Sequence, residues 1–168
     1  MIIISTYNLP YEKVGKNEPV CIADEVPFEI PDSWEWARLG TVSTYAETKK
    51  EINAKDAEPS LWGLDLENIE KGGILLAKLS VGERKVIGDK TVFEAGDILY
   101  SKLRPYLLKI LVADEDRICT PEIVPFKMYG AIEASYIVTY LKSPYVNDTI
   151  NAAPILALPL SFVVASPC

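Results

Sequence analysis

The stretch Gly96-Asp97-Ile98-Leu99-Tyr100-Ser101-Lys102-Leu103-Arg104-Pro105-Tyr106-Leu107 decides how this chain is read. Gly96 and Asp97 end a turn, and residues 98–100 form a short apolar run with strand character. Beyond them, Lys102, Arg104 and Lys109 fall with Tyr100 and Tyr106 inside ten residues, 100–109, that carry no acid. A residue before proline avoids the right-handed helical region, so Pro105 is expected to hold Arg104 extended. An arginine held this way can offer its planar fork to a phosphate or a guanine edge. Interleaved tyrosine adds hydrogen bonding and stacking. The plainer reading of the same residues is a solvated basic hairpin.

Working outward, residues 107–112, 118–120 and 123–126 read as further short strands, and residues 114–117 as a polar turn. On the other side, residues 85–87 and 91–93 flank Gly88-Asp89, which predicts a hairpin with a type II′ turn. Residues 74–79 read as a strand after the Gly72-Gly73 turn. Residues 34–39 alternate apolar and polar, placing Trp34 and Trp36 on one face of a half-buried strand. Residues 40–45 start a short helix. The charged segment 49–58 reads as a solvated loop.

The pattern changes after residue 132. Ala134, Ile137, Val138 and Leu141 recur at helical spacing. Ser143 followed by Pro144 is an N-cap with proline at the first helical position, which starts a second helix toward residue 152. The expected fold is therefore α+β: a twisted, mostly antiparallel sheet of short strands followed by a packed pair of helices. Residues 1–26, interrupted by Pro10 and Pro19, read as an N-terminal arm or linker, and residues 27–152 as the domain. The tail, 153–168, is apolar and uncharged, which calls for burial.

With 168 residues the chain is long enough for one domain with a real core. It has no histidine, so Ser–His–Asp and Cys–His nucleophile systems and His-based zinc sites are excluded. Cys21, Cys119 and Cys168 are too few for a four-thiolate site and form no C-x-x-C. No phosphate-cradling glycine motif is present, and no stretch is long enough to span a bilayer. No cofactor or metal site is expected, and a cytoplasmic location fits free thiols.

The net charge of −7 argues at first against nucleic acid. Its distribution does not. Residues 1–68 carry six basic and thirteen acidic side chains, residues 69–110 eight and five, and residues 111–168 three and six. The K-L-R-P segment lies in the one net-positive stretch.

These residues carry a resemblance. Pro27-Phe-Glu-Ile-Pro-Asp-Ser-Trp-Glu-Trp-Ala-Arg-Leu39, Leu64-Asp-Leu-Glu-Asn-Ile-Glu-Lys-Gly72, the 96–107 string, Ile118-Cys-Thr-Pro-Glu-Ile123 and residues 136–150 occur in this order. Over about residues 11–151 the chain resembles the target-recognition domain of the specificity subunit of type I restriction–modification systems. The resemblance implies a non-catalytic component that reads one half of a split site in double-stranded DNA. Its implied partners are modification (methyltransferase) and restriction subunits, and a second specificity half. Methyl transfer from S-adenosylmethionine would belong to the modification subunits. Carried over by residue, Lys102 and Arg104 are the first candidates for DNA contact, mainly to the backbone, and Ser101, Tyr106 and Lys109 come next. Tyr100 and Leu103 are expected to point into the core. Base-reading residues are expected in the loops 47–58 or 78–90.

The likeness fades after residue 151. The chain is thus expected to be a truncated half-subunit, with residues 153–168 read through after a frameshift. Two other readings compete: a remnant that acts through protein–protein interaction without binding DNA, and a small carboxylate-dependent enzyme. The second is the weaker, because no metal cluster or nucleotide loop supports it.

Overall fold

A computed structural model describes residues 2–6, 9–13, 15–26, 29–31, 33–76, 78–84, 87–152 and 161–165. In chain order the strands are β1 (Ile2–Thr6), β2 (Leu9–Lys13), β3 (Val20–Cys21), β4 (Trp34–Arg38), β5 (Glu51–Asn53), β6 (Gly63–Leu64), β7 (Ile69–Glu70), β8 (Ile74–Leu75), β9 (Asp89–Phe93), β10 (Ile98–Ser101), β11 (Ile110–Val112), β12 (Arg117–Cys119), β13 (Ile123–Phe126) and β14 (Ser161–Ala165). The helices are α1 (Leu39–Val42), α2 (Val81–Arg84), α3 (Ala134–Leu141) and α4 (Pro144–Ala152). The α+β class is as expected, but the strands form several small sheets rather than one.

The described residues divide into two compact units, one within 1–42 and 159–168, the other within 43–158. In the first, the segment read as an N-terminal arm or linker carries β1, β2 and β3, which form an antiparallel sheet with Ile4 opposite Tyr11 and Tyr11 opposite Cys21. The apolar tail also supplies a strand, since β14 pairs antiparallel with β4, Val163 opposite Trp36. That strand gives an apolar, uncharged segment a ladder for its backbone groups. The unit is pinned by Arg38, whose Nε and Nη2 donate to the two carboxylate oxygens of Glu12 at 3.1 and 2.8 Å. This two-point contact holds the Glu12 carboxyl below its ordinary range. The division at residue 42 places β4 with β1–β3 and β14, not with the strands that follow.

The 43–158 unit is built on two sheets and a ribbon. One sheet has the order β11-β10-β13, antiparallel throughout, with β10 central and all four of its residues buried. The other has the order β5-β9-β12-β6, in which only β12 and β6 run parallel. β7 and β8 form a separate antiparallel ribbon. A core of Trp62, Leu64, Ile69, Phe93, Leu99, Ala113, Cys119 and Ile123 joins residues from all three. Trp62 and Phe93 meet edge to face, ring centres 6.0 Å apart. Helix α3 buries Ile137 and Leu141, the expected face, and packs on β11. Ser143 caps α4 as anticipated, its hydroxyl accepting from the Val146 N–H at 3.4 Å.

One arm of the hairpin expected around Gly88-Asp89 includes residues 85 and 86, which lie outside the described residues; the other arm, 91–93, lies in β9, which pairs with β5 and with β12. The segment 49–58 is not a plain solvated loop: β5 lies in it, and Ala54 and Ala57 are buried. Of the strand read over 74–79, β8 (Ile74–Leu75) forms, and the other described residues, 76, 78 and 79, are not strand.

Asp97 begins β10 from a buried position, 6% exposed. Its Oδ2 accepts the Glu94 N–H at 2.8 Å, and its Oδ1 has no hydrogen-bond partner among the described residues. Burial raises this carboxyl above its ordinary 3.8, against that hydrogen bond and the attraction of Lys127 and Lys49. The folded state thus holds the Asp97 proton more tightly than the unfolded state does. Its contribution to stability is fully present below the ordinary value and is lost as pH rises through the raised one. Asp97→Asn should therefore gain on the wild type as pH rises from acid toward neutral. Urea unfolding of both proteins at stepped pH checks this, and a constant difference between them would contradict it.

Candidate nucleic-acid interface

β10 ends at Ser101 and β11 begins at Ile110, so the chain reverses within residues 102–109. Two features make that reversal. Residues Pro105–Leu107 form a 3-10 turn, closed by Leu107 N–H to Arg104 O at 2.9 Å and Leu108 N–H to Pro105 O at 2.8 Å. The residues on either side of it are left-handed, Arg104 at φ 53° and Leu108 at φ 52°. The extended Arg104 expected from Pro105 is therefore corrected. Proline disfavours only the right-handed region for its predecessor, and an extended Arg104 would carry the chain onward instead of turning it. These are the two non-glycine residues with positive φ among the described residues, each costing about 1–2 kcal/mol. Strain of this kind concentrates where side-chain presentation matters.

The turn is held from below. The Gly72 N–H donates to Leu107 O at 2.9 Å, and α4 lies against Pro105–Leu107. On its entry side the Lys102 N–H donates to Glu122 O at 2.9 Å, an extension of the β10–β13 ladder in which Ser101 faces Ile123. Pro121 and Glu122 thereby stand beside Lys102 and Leu103, and the four line a shallow groove of about 320 Å³. Glu122 also accepts from the Thr120 hydroxyl. That bond, with its own backbone N–H and the nearby Lys90 and Lys102, holds the carboxyl below its ordinary range.

The structure separates the five candidates. Lys102, Arg104 and Tyr106 are exposed, and Lys102 and Arg104 form no salt bridge among the described residues. Other cations of the unit are engaged: Lys78 with Asp114 and Glu115, Arg117 with Glu115, Lys127 with Glu94. Ser101 is buried, and its hydroxyl donates to Leu103 O at 2.9 Å, so it shapes the turn from inside. Lys109 is half-buried and spends its ammonium on Leu66 O at 2.7 Å, tying the turn to the 66–68 segment. Tyr100 is in the core as expected, its hydroxyl pushed up to about 12 chiefly by burial. Leu103 is not: it is 51% exposed. It sits where the strand has ended, so the alternation that placed it inward no longer applies. Pro121 and Glu122 were not among the candidates, and only the strand register brings them to the turn. Cys119 is buried, its thiol pushed up to about 12 by desolvation, a state unsuited to nucleophilic attack.

No family model matches the chain. It is 31% identical over 102 residues to the type I restriction enzyme EcoDI specificity subunit of Escherichia coli, covering 60% of this chain and 22% of that protein. Among solved structures, it is similar to a chain from a study of complex assembly and conformational transition of the type I R-M system. The TM-score is 0.68 at 17% identity, over 82% of this chain and 39% of that one. It is also similar to the HsdS subunit from Thermoanaerobacter tengcongensis, with a TM-score of 0.64 at 20% identity over 76% of this chain and 34% of that one. The chain thus spans between about a fifth and two fifths of the length of these relatives. Over that 102-residue stretch the chain is thus similar in sequence to a type I specificity subunit, and over most of its length it is similar in fold to part of an HsdS subunit, in line with the resemblance read from its sequence.

Proposed function

We propose that the 43–158 unit reads one half of a bipartite site in duplex DNA, as a non-catalytic specificity component that directs modification and restriction subunits to it. One observation carries this reading. A turn held in two left-handed residues, anchored from three sides, presents Lys102 and Arg104 to solvent, neither in a salt bridge among the described residues, with Glu122 the nearby acid on the Lys102 side. Such side chains suit phosphate contact, which sets register on the duplex before bases are read. Tyr106, 52% exposed in the same turn, adds a hydrogen-bonding and stacking group. Reading the other half of the site takes a second specificity half. Such a component works in the cytoplasm, and no helix among the described residues is long and apolar enough to cross a membrane.

The net charge of −7 makes the turn's local field more important than the whole protein's. Binding by the purified chain should accordingly be weak and fall steeply with salt. Lys102→Ala and Arg104→Ala should each weaken binding across all sequences. Each should also make log affinity against log salt shallower by about one. Fluorescence anisotropy with a randomised duplex pool across a salt series measures both. Unchanged affinity and slope in the two variants would remove the turn from the interface.

A further inference from the structure

Leu103 is the feature that phosphate contact leaves unexplained. It is an apolar side chain, 51% exposed, between two cations at the entry of a strained turn. We propose that Leu103 makes an apolar contact with the bases of the duplex that Lys102 and Arg104 hold by its backbone, an inference that rests on the DNA reading above.

Three observations bear on it. First, the presentation is rigid. The Leu103 carbonyl is bonded by the buried Ser101 hydroxyl at 2.9 Å, the preceding N–H by Glu122 O, and the following residue is fixed at φ 53°. A leucine held half in water forgoes part of its burial energy, so a fold that fixes it outward leaves that gain for a partner. Second, the wall it shares with Pro121 is apolar, while Glu122 completes the groove with a carboxylate held below its ordinary range. An anion there repels phosphate and tolerates base edges, whose amino groups it can accept. Third, the flanking cations fix which partner comes within reach. A leucine between two phosphate-binding side chains faces a groove of the duplex, where apolar groups either meet a thymine methyl or wedge between base steps.

The two modes share one chemistry and separate in the test. The full chain is used with a duplex obtained by selection from a randomised pool. Leu103→Ala, on an exposed side chain, should leave the melting temperature unchanged and lower affinity by about tenfold, with the salt slope retained. Replacing thymine by uracil one position at a time should cost affinity at one position for the wild type and not for Leu103→Ala if the contact is to a methyl. 2-Aminopurine placed along the site should brighten with the wild type and stay dark with Leu103→Ala if the side chain wedges between bases. Equal affinity of Leu103→Ala and wild type for the selected duplex overturns the proposal while the DNA reading stands. So does a loss accompanied by neither signature. A wild-type chain that binds no duplex overturns both.

Discussion

Replacing Phe93 by alanine should lower the stability of the 43–158 unit by about 3–5 kcal/mol. Phe93 is 1% exposed, near the end of β9, and its ring edge meets Trp62. Strand β9 is flanked on both edges, by β5 and β12, so the backbone is held in place and cannot close over the space left by the ring. Phe93 shares its core with Leu64, Leu99 and Ile123, which come from β6, β10 and β13. A cavity there loosens the packing between both sheets at once. Phe93→Leu, which keeps most of the volume, should cost far less. Urea unfolding by tryptophan fluorescence checks the pair, and equal midpoints for wild type and Phe93→Ala would mean that the core does not run through this residue.

How much of this could be read from the sequence differs from element to element. β10 and β13 were legible because each is a short apolar run between turn residues. α3 and α4 were legible from a helical apolar face and a Ser–Pro start. β5 was hidden because, between Lys49 and Glu58, only Ile52, Ala54 and Ala57 are apolar, and it exists as a strand only through pairing with β9. Pairing also explains β14, whose apolar run carries no period but finds β4.

At the candidate site, composition alone marked Lys102, Arg104 and Tyr106, and all three are exposed. Ser101 and Lys109 were indistinguishable from them in sequence. Whether a hydroxyl or an ammonium faces out or closes its own turn depends on where β10 stops and what Leu66 offers. The groove beside Leu103 depends on the Ser101–Ile123 register, to which no local pattern refers.

Gly73→Ala should be the most damaging single change around the turn itself. A Cβ at Gly73 would lie 2.0 Å from Ile110 O and 2.9 Å from Ile110 C, both backbone atoms of β11 that cannot rotate away. Its φ of +84° adds the ordinary cost of a side chain in left-handed territory. Overpacking and backbone strain together suggest a loss of about 3 kcal/mol, or about 10 °C in Tm for a chain of this size. Gly72 is the control: its φ is +86° but nothing lies within 4 Å, so Gly72→Ala should show the backbone cost alone, about 1 kcal/mol. The consequence reaches function through one hydrogen bond. If the 71–73 turn is pushed off Ile110, the Gly72 N–H loses Leu107 O, and the 3-10 turn that presents Lys102, Leu103 and Arg104 loses its support from below. Gly73→Ala should then weaken duplex binding even at temperatures where the unit is fully folded, whereas Gly72→Ala should not. Thermal melts beside anisotropy titrations well below both melting temperatures separate the two effects. If both variants bind duplex as the wild type does, the presentation of the turn does not depend on the 71–73 support.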